Sequence, residues 1–162
     1  MTIPIIKVLT EDSLGLPVSK KEITRQRVTA HVILSDDQDR IALFCPHGKT
    51  GYRLPGGAVE EGESYAIAAV REVMEEIQAV IDVDPEPICQ IVSIKKAEGL
   101  KQISFILTAK LREIESNKQD IKWLTSDAAI DLLRNQKPKA YKKTFRQARD
   151  LTALEYTKGK KI

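Results

Sequence analysis

The sequence predicts an α+β fold, a mixed sheet between helical layers, from three observations. Short apolar runs with strand character recur at residues 28–35, 41–45, 88–94 and 103–111. One helical pattern interrupts them between residues 64 and 81, and two more helical segments follow Ser126 and Pro138. Strands broken by one helix and closed by others bury their apolar faces most simply as a sheet covered on both sides. At 162 residues, 42% hydrophobic and 30% charged, the chain has the size and make-up of one globular domain spanning 1–162.

Taken in order, residues 3–9 (IPIIKVL) are apolar enough for a strand, with Pro4 favouring a sheet edge. Gly15 and Pro17 mark residues 11–25 as a connector, completing an N-terminal strand-and-connector segment over 1–25. Val28, Ala30, Val32 and Leu34 alternate with Thr29, His31, Ile33 and Ser35 as a strand buried on one face. The turn 36–39 then returns the chain as Ile41–Cys45 in a hairpin. Ser64 caps a helix to about Ile81, in which Ala66, Ile67, Val70, Val73, Met74 and Ile77 recur at core-facing spacing. Residues 88–94 and 103–111 form a second hairpin through Lys95–Gly99, and 112–122 read as a polar loop. Residues 122–124 make a short strand in which Trp123 packs, Ser126 caps a helix to Arg134, and a final basic helix and tail occupy 139–162.

Chemistry concentrates between Leu54 and Ala79. Leu54-Pro55-Gly56-Gly57 is a rigid turn followed by paired glycines, which leave room close to the main chain. Glu72, Glu75 and Glu76 fall at i, i+3 and i+4 and so share one helical stripe, with Arg71 as the only base from Glu60 to Glu76. A solvated helix face is the bland reading of these acids. The glycines and Glu63 upstream favour hard oxygen ligands for Mg²⁺ or Mn²⁺.

This segment resembles the Nudix hydrolase family, whose signature is G-x5-E-x7-R-E-U-x-E-E-x-G-U with U aliphatic. Gly57, Glu63, Arg71-Glu72, Val73 and Glu75-Glu76 match it, whereas Gln78 and Ala79 stand where the signature ends in glycine and an aliphatic residue. A glycine there would close the helix in a left-handed cap, so Gln78 implies a helix that ends differently or runs on by part of a turn. The resemblance implies an α/β/α sandwich. It also implies that Glu72, Glu75, Glu76 and a Gly56 or Gly57 carbonyl hold Mg²⁺ or Mn²⁺, with Glu63 in support. Glu72 would be the general base and Arg71 would orient carboxylates; Glu113, Glu115 or Asp120 are alternative bases from a downstream loop. The implied substrate is a nucleoside diphosphate linked to another group. The alternatives are a catalytically silent nucleotide-binding or regulatory module, which Gln78 and Ala79 support, and an RNA-directed pyrophosphohydrolase.

Tyr52, Arg53 and His47, on a loop with Lys49 before the glycines, are candidate substrate contacts, although packing or surface roles account for each equally simply. Cys45 and Cys89 lie in apolar stretches as free thiols, not as a disulfide framework. Residues 137–162 carry nine bases against two acids, +7, which leaves −4 for the remainder of a chain of net charge +3. That bias reads as a solvated amphipathic helix or as attraction for a polyanion, RNA included. A homodimer is compatible with these features. No apolar run reaches the ~20 residues of a membrane span, and the N-terminus lacks a secretion signal, so the expected setting is cytoplasmic and off the membrane.

Overall fold

The computed structural model describes residues 2–115 and 120–160. Its centre is the parallel pair β2 (Arg25–Ser35) and β7 (Leu100–Ile114), in unbroken register from Arg25 opposite Leu100 to Ser35 opposite Lys110. Around it the sheet runs β1 (Ile5–Thr10), β6 (Cys89–Lys95), β7, β2, β3 (Ile41–Cys45), β8 (Asp120–Leu124). Two short strands leave this path: β4 (Gly56–Ala58) pairs with β2, and β5 (Ala79–Val83) pairs with β7. β1 is an edge strand parallel to β6, as Pro4 predicts.

Both faces of the sheet are covered, giving the expected α/β/α arrangement. Ala30, Val32, Leu34, Phe105 and Leu107 pack with Ala68, Ala69, Val73 and Ile77 of α1 (Tyr65–Ile77). Ile33, Cys89, Ile91 and Ile106 pack against α2 (Ser126–Asn135) and α3 (Tyr141–Lys160). β2 is therefore not exposed along the face that carries Thr29 and His31, both of which are buried. Among the described residues no helix is long and apolar enough to cross a membrane.

Both predicted hairpins form. Asp36 tightens the first by accepting from the amides of Gln38 (3.0 Å) and Arg40 (2.8 Å), and a 3-10 turn at Lys96–Glu98 closes the second. Free Cys89 is buried and its thiol is pushed up to about 12 by burial, while Cys45 is partly exposed. Trp123 packs on the α1 side of the core, as anticipated.

Several expectations require correction. α1 turns its alanines to the sheet and leaves Ile67 (58% exposed), Val70 and Met74 (43%) on its outer side. Tyr65 stacks on Phe105 with centroids 4.0 Å apart, so the helix lies close to the sheet and small residues fit beneath it. The helix stops at Ile77, not Ile81: Gln78 itself takes the left-handed cap (φ 53°), its amide bonding Met74 O at 3.1 Å. Val80 and Ile81 then enter β5, where β-branched side chains suit a pleated surface. Gly56–Ala58 is a strand as well as a turn. The segment 112–122 is not one loop, since β7 continues to Ile114 and β8 starts at Asp120; residues 116–119 of that expectation lie outside the described residues. Thr125 rather than Ser126 caps α2, accepting from the Ala128 amide at 3.2 Å.

Candidate active site

β4 places the acidic helix against the sheet. Its residues Gly56, Gly57 and Ala58 pair with His31, Ala30 and Thr29. At Gly57 a Cβ would sit 2.5 Å from the Glu72 carboxyl carbon, so any side chain there would have to displace that carboxylate or the strand. Gly56 has φ of 149°, and its Cβ would lie 2.3 Å from Ala30 O and 2.5 Å from His31 Nδ1. The paired glycines thus let α1 carboxylates approach the main chain of the sheet, and any larger residue would separate them.

Arg71 organises the loop before the helix. Its Nε and Nη2 donate to the two oxygens of Glu63 at 2.8 and 2.9 Å, and Nη2 also reaches Ala58 O at 2.9 Å. Its Nη1 donates to Glu72 Oε1 at 3.0 Å and to Glu75 Oε1 at 3.4 Å. This two-pronged bond to Arg71, with the Glu60 amide on Glu63 Oε1 at 2.8 Å, holds the Glu63 carboxyl down to about 2. Glu63 and Arg71 therefore lock the loop onto the helix, and Glu72 is oriented by the same guanidinium.

Glu76 occupies a different environment. It accepts from the Gly56 amide at 2.7 Å and lies 3.8 Å from Arg53 Nη2. Burial pushes its carboxyl up to about 7, against the Gly56 bond and Arg53, and the neighbouring charge of Glu72 adds to the rise. Two carboxylates one turn apart, one of them costly to ionise where it lies, form a donor set that a hard divalent cation would satisfy. Glu75 lies outside this pair, with its side chain 57% exposed. Among the described residues no group of three His, Cys, Asp or Glu side chains is already gathered around one point.

Beyond the glycines opens a cavity of about 350 Å³. Glu72 is the acid in its wall, and six cations surround it: Arg27, Arg53, Lys95, Lys142, Arg146 and Arg149. The floor is a chain of buried polar groups: Lys95 Nζ donates to Gln102 Oε1 (3.3 Å), Gln102 Nε2 to Ser104 Oγ (3.2 Å), and Thr29 Oγ1 to Ser104 Oγ (2.8 Å). His31 Nε2 lies 3.0 Å from Thr29 Oγ1, while its Nδ1 is buried without a hydrogen bond. Burial, with the positive charges around it, holds His31 well below the usual histidine range and therefore neutral.

Of the residues singled out in the sequence, Glu72 and Arg53 line this cavity, and Gly56 and Gly57 form part of its wall. Tyr52 does not: its hydroxyl donates to Asp120, its ring packs in the core, and its phenol is pushed up to about 12, chiefly by that bond. His47 is on the exposed part of the preceding loop. Of the alternative bases, Glu113 sits in β7 opposite Val80, the Glu115 amide bonds Gln78 O at 3.3 Å, and Asp120 is engaged by Tyr52. None lines the cavity. Sequence reading missed Arg27, Lys95, Gln102 and the inward turn of Lys142, Arg146 and Arg149; the available signals were polar residues at alternating positions in otherwise apolar strands and the basic bias of α3.

An α/β/α sandwich in which a glycine strand brings an acidic helix beside a cation-lined cavity defines the class of Nudix-fold enzymes. The sequence profile of the NUDIX domain matches residues 25–147, about three quarters of the chain. The chain belongs to the Nudix family and is a Nudix-type hydrolase. Solved structures share the fold. The solution structure of the E. coli ORF135 protein has a TM-score of 0.58 at 18% identity, over 90% of this chain and 95% of that one. A NUDIX hydrolase from Nitrosomonas europaea has 0.56 at 17% identity, over 76% and 88%. A crystal structure of UDP-X diphosphatase has 0.58 at 17% identity, over 90% and 67%. A comparison with curated proteins found no match.

Proposed function

We propose that the protein hydrolyses the diphosphate bond of a nucleoside diphosphate linked to another group, using Mg²⁺ or Mn²⁺ held on the α1 acids. The observation that carries this reading is the meeting, across Gly56 and Gly57, of the Glu72 and Glu76 carboxylates with a cavity lined by cations. One side suits a divalent metal and the other suits phosphate oxygens. The fold shared with a protein named UDP-X diphosphatase supports the same substrate class.

Glu72 and Glu76, with Glu75 from the flank of the same turn and a Gly56 or Gly57 carbonyl, would hold the metal. When bound it neutralises phosphate oxygens and makes a water acidic enough to attack at neutral pH. Arg71 holds Glu72 from one side, so that the carboxylate is aimed at the cavity and can take the proton of the attacking water. Arg53, on the cavity wall beside Glu76, binds the phosphate oxygens and steadies the charge that builds on the leaving side. Arg71 bound to Glu63 keeps this geometry fixed without contacting substrate. A single domain belongs to the same proposal, supported by two core clusters that share one sheet. The inward placement of Lys142, Arg146 and Arg149 supports a small polyanion over RNA as the ligand of the basic segment.

The test is a panel of nucleoside diphosphate derivatives with Mg²⁺, with Mn²⁺, and with chelator. Cleavage into two phosphate-bearing products, abolished by chelator, is expected. Recovery of every ligand intact, with thermal stabilisation by one of them, would favour the silent binding module instead.

A further inference from the structure

The cavity holds more positive charge than the acids of the described residues neutralise. Asp150 neutralises Arg149 at 2.8 Å, and Glu76 partly offsets Arg53 at 3.8 Å. Arg27, Lys95, Lys142 and Arg146 have no carboxylate within ion-pair distance among the described residues. These four come from β2, β6 and α3, so the surplus is built by separate elements converging on one space.

Lys95 is the most telling of them. It is only 9% exposed, and its ammonium donates to the neutral Gln102 Oε1 at 3.3 Å and lies 5.6 Å from the Phe145 ring centroid. Glu98 attracts it from beyond ion-pair distance, and a buried charge whose hydrogen-bond partner is neutral is costly unless an anion joins it. Burial pushes the Lys95 ammonium down to about 8, against the pull of Glu98 and helped by the like charges of Arg149, Arg27 and Arg146. Arg146 is lowered in the same way, by burial and by Arg53 and Arg149 against Asp150 and Glu76. The cavity cations thus repel one another, and their common remedy is a bound anion.

The walls favour phosphate over a nucleobase, since their charge is high and their aromatic surface is small. Phe145 is the aromatic residue among the lining side chains; it is buried, with Lys95 over its ring and Tyr141 against it at 5.2 Å. Among the described residues, no Phe, Tyr or Trp ring face in the lining is open for stacking. The Ser93 hydroxyl lies beside the cations, while Thr29 and Gln102 are engaged in the buried chain of hydrogen bonds beneath Lys95.

We propose that this cavity receives a further phosphate group of the substrate, so that the protein prefers diphosphate esters that carry an additional phosphomonoester. A phosphomonoester brings about −1.5 to −2 charge at pH 7, which matches the surplus beside Lys95 and Arg146. Bound there, it pairs with Lys95 and Arg146 while the diphosphate bond lies toward Glu72. The proposal rests on the hydrolase reading for its catalytic arm but not for its binding arm.

The test uses two pairs of compounds that differ by one phosphate: CoA against dephospho-CoA, and NADP⁺ against NAD⁺. Turnover with Mg²⁺ gives a kcat/KM ratio within each pair, and thermal stabilisation in chelator gives an affinity ratio without chemistry. A preference of about tenfold or more for the phosphorylated member is expected in at least one pair, as one charge-assisted contact supplies. In Lys95→Met and, independently, in Arg146→Gln, which alters a different element of the cavity wall, that ratio falls toward one. Turnover with ratios near one in both pairs leaves the hydrolase reading standing and overturns this inference. Preferential binding without any turnover supports the inference and counts against the hydrolase reading. Neither preferential binding nor preferential turnover in either pair overturns it.

Discussion

Gly57 and Glu72 set the tightest constraint at the residue scale. Adding one methyl group at Gly57 would place carbon 2.5–2.6 Å from the Glu72 carboxyl atoms, so Gly57→Ala must move the carboxylate or the strand. Displacing a catalytic group by about 1 Å costs on the order of 10²-fold in rate, and steady-state kinetics of Gly57→Ala on the best substrate should show a kcat loss of that size. Glu63 makes a separate prediction about stability. Its bond to Arg71 lowers its carboxyl from 4.5 to about 2, so the folded state favours the ionised form. The stabilisation is complete above the ordinary value, declines as pH falls from 4.5 toward 2, and is gone below. Urea unfolding of the protein and of Glu63→Gln should differ at pH 7 and converge toward pH 2; a constant gap across that range would rule out Arg71 as the cause. The spacing of Gly57, Glu63 and the three α1 acids was legible at this scale. Which acids face inward was not, because Glu75 sits ~60° around the helix from Glu72, and only the packing of α1 on β4 decides which side of the stripe is covered.

At the element scale, the helix end shows what a motif can and cannot foretell. Gln78 departs from glycine, yet the chain makes the left-handed cap anyway because β5 must turn back at once to pair with β7. A non-glycine residue pays about 1 kcal/mol for that conformation. Gln78→Gly should therefore raise stability by roughly 0.5–1 kcal/mol, less whatever the Gln78 Nε2 bond to Glu75 O (3.2 Å) contributes. Thermal or urea unfolding checks the sign, and a destabilised variant would mean that the side-chain bond outweighs the strain. The strands β2, β3, β6 and β7 and the two hairpins were readable from alternation and turn residues. β4 and β5 were not, since three residues containing two glycines and a short run after a helix carry no period of their own; long-range pairing with β2 and β7 creates them. The buried side of α1 was misread for a related reason: its alanines fit a close approach to the sheet, which Tyr65 on Phe105 sets and local hydrophobicity does not reveal.

Across the whole molecule, function and stability pull against each other in the cavity. The cations come from β2, β6, the loop before β4, and α3, so only the folded chain brings them together, and the sequence shows them only as polar residues in apolar strands and a basic C-terminal bias. Lys95 carries a cost that is full below about pH 8 and vanishes as pH rises through 10.5, because its folded value lies below its ordinary one. Lys95→Met should therefore stabilise the protein at pH 7 by about 1–3 kcal/mol while weakening phosphate-rich ligands. Melting curves at pH 7 and pH 10.5 should show the gain at the lower pH and little at the higher. The basic bias of residues 137–162, legible only as a charge, proves to be partly internal: three of its bases line the cavity, and Lys158 pairs with Asp127.

In the proposed reaction the Glu72 and Glu76 carboxylates, beside this cavity, direct water onto a diphosphate phosphorus. Hydrolysis of the best substrate in ¹⁸O-labelled water with Mg²⁺, for the protein and for Glu76→Gln, tests it most directly. One label in a single phosphate-bearing product is expected, with a fall in kcat/KM of on the order of 10³-fold in the variant. Label in neither phosphate product, or a variant that keeps its rate, would contradict it.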